Sequence, residues 1–594
     1  MSATPPAPWT PIAVPRQATA KEGTANIGAV KLWYWDTGGN GEVVVLNHPA
    51  VQSSECWKYQ QPALAMAGYR VIGWSRRGTH RSESGPAGDP GTAAGDLARL
   101  LDLLKIENCH LVGAAEGGAV AAQFALENPA RARSLILAGA RLAVAEDDYR
   151  GMEKRVRLPD DHNTAASFAD VGPGYRGGNA AGTKAWSELA GAAHPAARAP
   201  TQPAGAQPLT WARLRTLTAP VMLLTGDADH YSSAALNRLV AQYLPNRELA
   251  VIDEAGTSAY WEQPDAFNAV LIDFLGRHRA GRSLPPPPVV PAKQPWKVPD
   301  SSRAPKPEIV TGPVKVWNKV PVPEQVPAKA GWAETSSVRI WHWDTGGDGE
   351  AIVFCHPWSQ SSECWAYQQP FFAKKGYRVI AWSQRGFFKT EKGPADNPGS
   401  AAEDLNKLLD YLKVDKAHIV GCAAGGCTAI AYAIAHPERL YSVTVSGSIL
   451  LPSEPDYEQF MANLGRGPAG AGKTNVPVEF GEVGASYRAG NPEGLATWQI
   501  LEHLAHPNGW QTGQPWGADR NWKTFGAMTL PILLQTGDTD MGPSPALQRL
   551  FSHKFPNWEL RVIEEAGHAA YWEQPDAFNA SILDFISRHG RKKA

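Results

Sequence analysis

His418-Ile419-Val420-Gly421-Cys422-Ala423-Ala424-Gly425-Gly426 decides how this chain folds. Its opening apolar run reads as a strand buried on both faces, and its glycine-rich end opens a helix. Between them the backbone must turn sharply around Ala423, and the small neighbours leave room for a strained conformation there. An earlier copy of the same elbow stands at His110-Leu111-Val112-Gly113-Ala114-Ala115-Glu116-Gly117-Gly118.

Outward from the elbow, the whole chain proves to repeat once. Trp33-Tyr34-Trp35-Asp36-Thr37-Gly38-Gly39 returns as Trp341-His342-Trp343-Asp344-Thr345-Gly346-Gly347, and Gln52-Ser53-Ser54-Glu55-Cys56-Trp57 as Gln360-Ser361-Ser362-Glu363-Cys364-Trp365. Near the end of each copy, Tyr260-Trp261-Glu262-Gln263-Pro264 matches Tyr571-Trp572-Glu573-Gln574-Pro575. A unit this long is a folded domain in tandem, since solenoid repeats run only roughly 20 to 50 residues. The expected domains are 1–279 and 316–594. Between them, 280–315 carries Pro285-Pro286-Pro287-Pro288 and reads as a polyproline II spacer.

Within the second copy, Val338–Trp343 alternates like a half-exposed strand. Ala351–Cys355, Arg378–Trp382, Tyr441–Ser446, Pro531–Gln535 and Glu559–Ile563 read as further strands. Helical spacing separates them, at Trp365–Lys375 and at Ser400–Leu412. Alternating strands and helices imply an α/β fold, a mostly parallel sheet covered on both faces. From Leu451 to Thr529 the pattern breaks into Gly- and Pro-rich helical pieces, expected to form a cap, with its counterpart at about 150–215.

Composition narrows the function classes. Lys plus Arg (57) nearly balances Asp plus Glu (58) over 594 residues, so no field favours nucleic acid or an anionic membrane. No apolar run approaches the ~18 residues of a membrane span. The Pro-rich start lacks a basic segment followed by an apolar one, so the expected location is cytoplasmic. The six cysteines lack zinc-site spacing and are expected to be buried free thiols. Neither a metal nor an organic cofactor is implied.

Five motifs in order carry a resemblance. They are His356-Pro357-Trp358, Arg385-Gly386, the elbow Gly421 to Gly426, Gly537-Asp538-Thr539-Asp540, and Gly567-His568. With them each copy resembles the α/β-hydrolase superfamily over nearly its whole length. The resemblance puts Ala423 at the nucleophile position, His568 as base and Asp540 as the acid that orients it. The oxyanion donors would be the N–H groups of Trp358 and Ala424. Pro357 departs from the family's usual His-Gly turn and has no N–H to give. Cys422 beside the elbow's centre is set aside as a nucleophile because successive residues of such a turn point in different directions, and His356 is read as structural. The first copy keeps only Asp229 of the three, with Ala115 at the nucleophile position, Thr257 in place of the base, and Glu116 where the second has Ala424. That copy is expected to be a non-catalytic partner in a fused pseudo-dimer. Whether fused dimers pair further stays open.

Three accounts of Ala423 stand. The chain is a serine hydrolase with its nucleophile removed, or a His568–Asp540 dyad enzyme that activates water or a substrate proton, lyase and cofactor-free oxygenase chemistry included, or a ligand-binding pseudohydrolase. Aromatic residues suggest the substrate. Phe387, Phe388, Tyr487 and Trp498, with Trp510, Trp516 and Trp522 in the cap, are expected near the strands' C-terminal edge, although packing the cap would explain them equally well. If they line a pocket, the substrate is a small apolar or aromatic ester, a lactone, or a β-diketone cleaved at a C–C bond.

Overall fold

The computed structural model describes residues 9–86, 88–157, 165–194, 202–280, 314–335, 338–465, 477–509 and 514–591. Trp510 and nearly all of the expected linker lie outside the described residues. Among the described residues, sixteen strands are divided equally between the two halves. The first half contributes β1 (Lys21–Asn26), β2 (Lys31–Asp36), β3 (Val43–Asn47), β4 (Arg70–Trp74), β5 (Cys109–Ala114), β6 (Ala132–Ala138), β7 (Val221–Gly226) and β8 (Arg247–Ile252). The second contributes β9 (Lys329–Glu334), β10 (Arg339–Asp344), β11 (Ala351–Cys355), β12 (Arg378–Trp382), β13 (Ala417–Cys422), β14 (Leu440–Ser446), β15 (Ile532–Gly537) and β16 (Glu559–Ile563).

Each set forms one sheet with the same order, β1-β2-β4-β3-β5-β6-β7-β8 and β9-β10-β12-β11-β13-β14-β15-β16. All neighbours are parallel except at the β9-β10-β12 and β1-β2-β4 edge. Strand β11 sits at the centre, with Val353 opposite both Ile380 and Ile419, and is buried along its length, which is why it reads as one apolar run. The fold is therefore a tandem duplication of a mostly parallel α/β sheet. Strand β9 was not legible in the sequence. Lys329-Ala330-Gly331-Trp332-Ala333-Glu334 has no apolar alternation and holds its place by antiparallel pairing to β10. The helix read at Trp365–Lys375 is a 3₁₀ turn, Ser362–Trp365, followed by the shorter helix Gln368–Ala373.

The halves meet through equivalent surfaces. Cap helix Ala485–Gly490 of the second half packs on helices Asp147–Val156 and Ala234–Ala241 of the first, and cap helix Pro173–Gly178 of the first packs on Pro455–Asn463 and Pro545–Lys554. Ion pairs repeat the exchange. Arg549 binds Glu254 with Nη2 2.6 Å from Oε2, and its counterpart Arg238 binds Glu565. Arg155 and Arg488 each donate to the other's carbonyl, at 3.0 Å and 2.9 Å. This reciprocity is that of an isologous dimer built into one chain.

Arg549→Ala strands Glu254 in an interface where the two side chains are only 7% and 12% exposed. We expect a loss of about 3 kcal/mol in a thermal or denaturant melt, with part of it recovered in the Arg549→Ala/Glu254→Ala double variant.

Candidate active site

Strand β13 ends in the elbow and helix Ala424–Ala435 follows it. Ala423 holds φ 51° and ψ −113°, a conformation costly for a residue with a Cβ, and Ala115 repeats it at φ 48° and ψ −119°. Two positions away on either side, only glycine fits. A Cβ on Gly421 would stand 2.1 Å from the Gly425 oxygen, and one on Gly425 would stand 2.0 Å from that of Cys355. The Ala423 N–H donates to Ser446 O at 2.9 Å. Gly447, which follows Ser446, passes so close to the dyad that a Cβ there would lie 3.2 Å from Asp540 Oδ2 and 3.3 Å from His568 Nδ1.

The loops after β15 and β16 supply Asp540 and His568, whose Nδ1 lies 2.8 Å from Asp540 Oδ2. Asp540 is fully buried, and its other oxygen accepts the Gly542 N–H at 2.9 Å. A carboxylate there accepts the hydrogen bond of Nδ1–H, which sets the ring's tautomer and makes Nε2 its acceptor nitrogen. Asp538 serves the backbone instead, accepting the N–H groups of Glu565 and Ala566 at 2.8 and 3.1 Å and so shaping the loop that carries the histidine. Ala423, Ala424 and His568 all stay partly accessible.

Glu573 fixes the histidine loop to the cap. Its carboxyl accepts from Gly567 N at 3.0 Å and from Gly484 N at 2.9 Å, and Glu262 does the same in the first half. Burial raises each of these carboxyls to about 8, against the opposing pull of those N–H groups. Because the folded value exceeds the ordinary one, the stability gain is full below about pH 4.5 and is lost as pH rises through about 8.

The remaining sequence-derived residues scatter. Trp358 and Phe387 come together, ring centroids 4.9 Å apart, with Phe387 also against His356 and His506. Phe387 is thus the support beneath Trp358. Trp498 is buried in the cluster against which Ala423 packs. Phe388 and Tyr487 do not join the dyad. Phe388 turns outward onto Trp341 at 6.0 Å, and Tyr487 is buried against Trp317 at 5.5 Å, where it packs the cap. Trp516 and Trp522 pack in a different cluster, around Phe525 and Phe555. His356 is structural: Nε2 accepts from Gln384 N at 2.9 Å while Nδ1 faces Pro357 O at 2.8 Å. Burial drives the Cys422 thiol well up, so it stays protonated, 3.8 Å from His568 O.

In the first half the same place is filled. Ala115 is 1% exposed, and Glu116 folds back so that Oε2 accepts the Ala50 N–H at 2.9 Å. Ala50 corresponds to Trp358, so a carboxylate oxygen sits on the N–H equivalent to the one expected to donate to an oxyanion. Arg141 binds the other Glu116 oxygen at 2.8 Å and reaches Asp170 at 3.2 Å. Burial works against the Glu116 anion, but Arg141 and the Ala50 N–H outweigh it and hold the carboxyl below its ordinary range. Burial lifts Asp170 to about 7 despite Arg141. Thr257, in place of the base, donates to Asp229 at 2.7 Å.

Two residues that sequence reasoning missed complete the second site. Ser359 Oγ donates to Glu482 Oε2 at 3.0 Å, and that oxygen lies 3.8 Å from His568 Nε2. One signal for the acid was available: Phe480-Gly481-Glu482-Val483-Gly484 repeats Phe168-Ala169-Asp170-Val171-Gly172. Among the described residues, no group of three or more His, Cys, Asp or Glu side chains is placed to hold a metal ion, and no helix is long and apolar enough to cross a membrane.

A strand-elbow-helix at the centre of a parallel sheet, with an Asp-oriented histidine on the last loops, defines the class: an α/β hydrolase fold, present twice. The chain belongs to the alpha/beta hydrolase fold family, whose model matches residues 42–264 and 350–489. It is similar to the 2-hydroxy-6-oxo-6-phenylhexa-2,4-dienoate hydrolase of Comamonas testosteroni, 27% identical over 271 residues that span 41% of this chain and 90% of that one. The 2-hydroxy-6-oxononadienedioate/2-hydroxy-6-oxononatrienedioate hydrolase 1 of Dechloromonas aromatica is 28% identical over 269 residues, 41% of this chain and 89% of that one. Among solved structures, an N-acyl homoserine lactone degrading enzyme is 27% identical, covering 43% of this chain and 100% of its own, with a TM-score of 0.35.

Two outcomes follow for stability. Arg141→Ala leaves Glu116 and Asp170 without this cation and should cost about 3 kcal/mol in a denaturant melt. The melting temperature of the unmodified chain should fall between about pH 5 and pH 8, and Glu262→Gln/Glu573→Gln should flatten that slope.

Proposed function

We propose that the second half is a hydrolase that works without a nucleophilic side chain, using His568 to activate water against a small apolar ester, lactone or β-diketone. The observation that carries this reading is the 2.8 Å pair of His568 and Asp540 beside an accessible alanine in a fully formed elbow. A natural alanine is favoured because Ala115 stands at the same point of the other elbow. A water takes the space a hydroxyl would have filled, and His568 Nε2 removes its proton as the oxygen attacks the substrate carbonyl. The oxyanion is received by the N–H groups of Trp358 and Ala424, the latter among the first amides of a helix, which have no partner within it. Collapse breaks the carbonyl carbon's bond to the leaving group, which takes the proton from the imidazolium. Asp540 holds the ring's tautomer and stabilises its charge.

Support for the substrate class comes from Trp358, Phe387 and Trp498 around the elbow. The first half, its site filled by Glu116 and Arg141, serves as a structural partner that docks the second half's cap.

Turnover of a panel of aryl esters and lactones tests the reading. His568→Ala should lower kcat by about 10² to 10⁴, and Asp540→Asn by a comparable factor. Ala423→Ser should introduce a burst of acyl-enzyme that the unmodified chain lacks. Turnover indifferent to His568→Ala would sink the proposal, and turnover seen only after Ala423→Ser would mark a disabled serine hydrolase instead.

A further inference from the structure

We propose that the first half binds a small uncharged apolar molecule, of the kind of an alcohol or phenol, in the cleft between its cap helices Ala166–Asp170 and Ala180–Ala193. This site goes beyond the reaction read for the second half and does not depend on it.

A cavity of about 420 Å³ opens in that cleft, with Val51 and Trp186 among its walls. Small-molecule sites run from ~300 to ~1,000 Å³, so one compact ring system fills it. Trp186 is fixed from behind: its Nε1 donates to Ser258 Oγ at 3.0 Å, and its carbonyl accepts the Gln52 side-chain amide at 3.3 Å. With that N–H satisfied in the interior, the indole offers a ligand only carbon. Among the described residues that line the cavity, His194 is the one ionisable side chain, and its Nε2 is committed to the backbone, 2.9 Å from Ala50 O. Ser187 Oγ donates to Thr183 O at 2.9 Å and so meets a ligand as an acceptor, which suits a hydroxyl. The elbow takes no part, since Ala115 and Glu116 are not among these walls and Ala115 is almost wholly buried.

The second half shows what this cavity owes to the sequence. At the positions of Ser167, Ser187, Ala190 and Gly191 it carries Glu479, Gln499, Glu502 and His503. Gln499 Nε2 donates to Glu479 Oε1 at 3.1 Å and so ties together the two helices that flank the corresponding cleft. Each first-half residue is smaller than its counterpart and carries no charge. Gly191 is the clearest case, because it lies within a helix, where glycine lowers stability, and a Cβ built on it would meet nothing within 4 Å. Neither a turn nor a close approach requires glycine there, and what its missing side chain provides is the open cleft. Such walls favour an uncharged ligand: apolar surface gains by leaving water, whereas an anion would meet no arginine or lysine among the described lining residues and would lose hydration without a partner.

Methyl NMR of the full chain tests this site by itself, because the Val51 and Ala166 methyl groups lie on its walls. Their signals are followed while a naphthol, and separately the matching naphthoate, is titrated at neutral pH. Naphthol should move both signals and bind about tenfold or more tightly than naphthoate. The double variant Ala190→Glu/Gly191→His, which installs the second half's residues, should weaken naphthol binding at these signals by about tenfold or more while melting no lower than the unmodified chain. Val51 and Ala166 signals that naphthol leaves unmoved overturn the proposal, as does naphthoate binding as tight as that of naphthol. A stably folded double variant that binds naphthol as tightly as the unmodified chain overturns it equally. None of these results bears on the His568→Ala test of the second half.

Discussion

The backbone turn at Ala423 is the constraint on which the rest of this structure depends. A non-glycine residue at φ 51° costs of the order of 1–3 kcal/mol, and strand and helix must approach so closely that Gly421 and Gly425 have no space for a side chain. In return, the turn sets the first amides of the helix and the centre of the elbow at the sheet's C-terminal edge, where the loops after β11, β15 and β16 converge. Both halves keep this geometry although neither carries a nucleophilic side chain there. The strain is compatible with two uses: in one half the elbow is closed by the chain's own carboxylate, and in the other it lies open beside an oriented histidine.

The duplication explains how those uses coexist. Reciprocal packing places the cap of each half on the cap and body of the other, so the cap segment that carries Glu482 runs directly into the helix docked on the first half. The second half alone would expose that docking face. The first half retains the sheet, the elbow and the interface, while its polar centre has become an ion cluster of Glu116, Arg141 and Asp170. Glu116 there accepts the Ala50 N–H, the counterpart of the Trp358 N–H.

Much of this was legible in the sequence for physical reasons. Central strands such as β11 and β13 are buried on both faces and must be apolar, and the elbow must be glycine-rich, so both show directly. The order of the Asp540 and His568 motifs along the chain was equally visible. Strand β9 was not, because edge pairing asks little of side chains. Aromatic residues misled at Phe388 and Tyr487, where a large ring packs a cap or an outer strand as readily as it lines a pocket. Glu482 stayed hidden because it ends a five-residue helix in an irregular cap, and its approach to His568 exists only once the cap is folded over the sheet.

The central claim is that water, and no side chain, attacks the substrate in the second half. Rapid-quench intact-mass measurement of the protein while it turns over an aryl ester tests this most directly. The account predicts product formation with no acyl adduct on the chain at any time point. A protein population carrying the acyl group at a rate competent for turnover would contradict it.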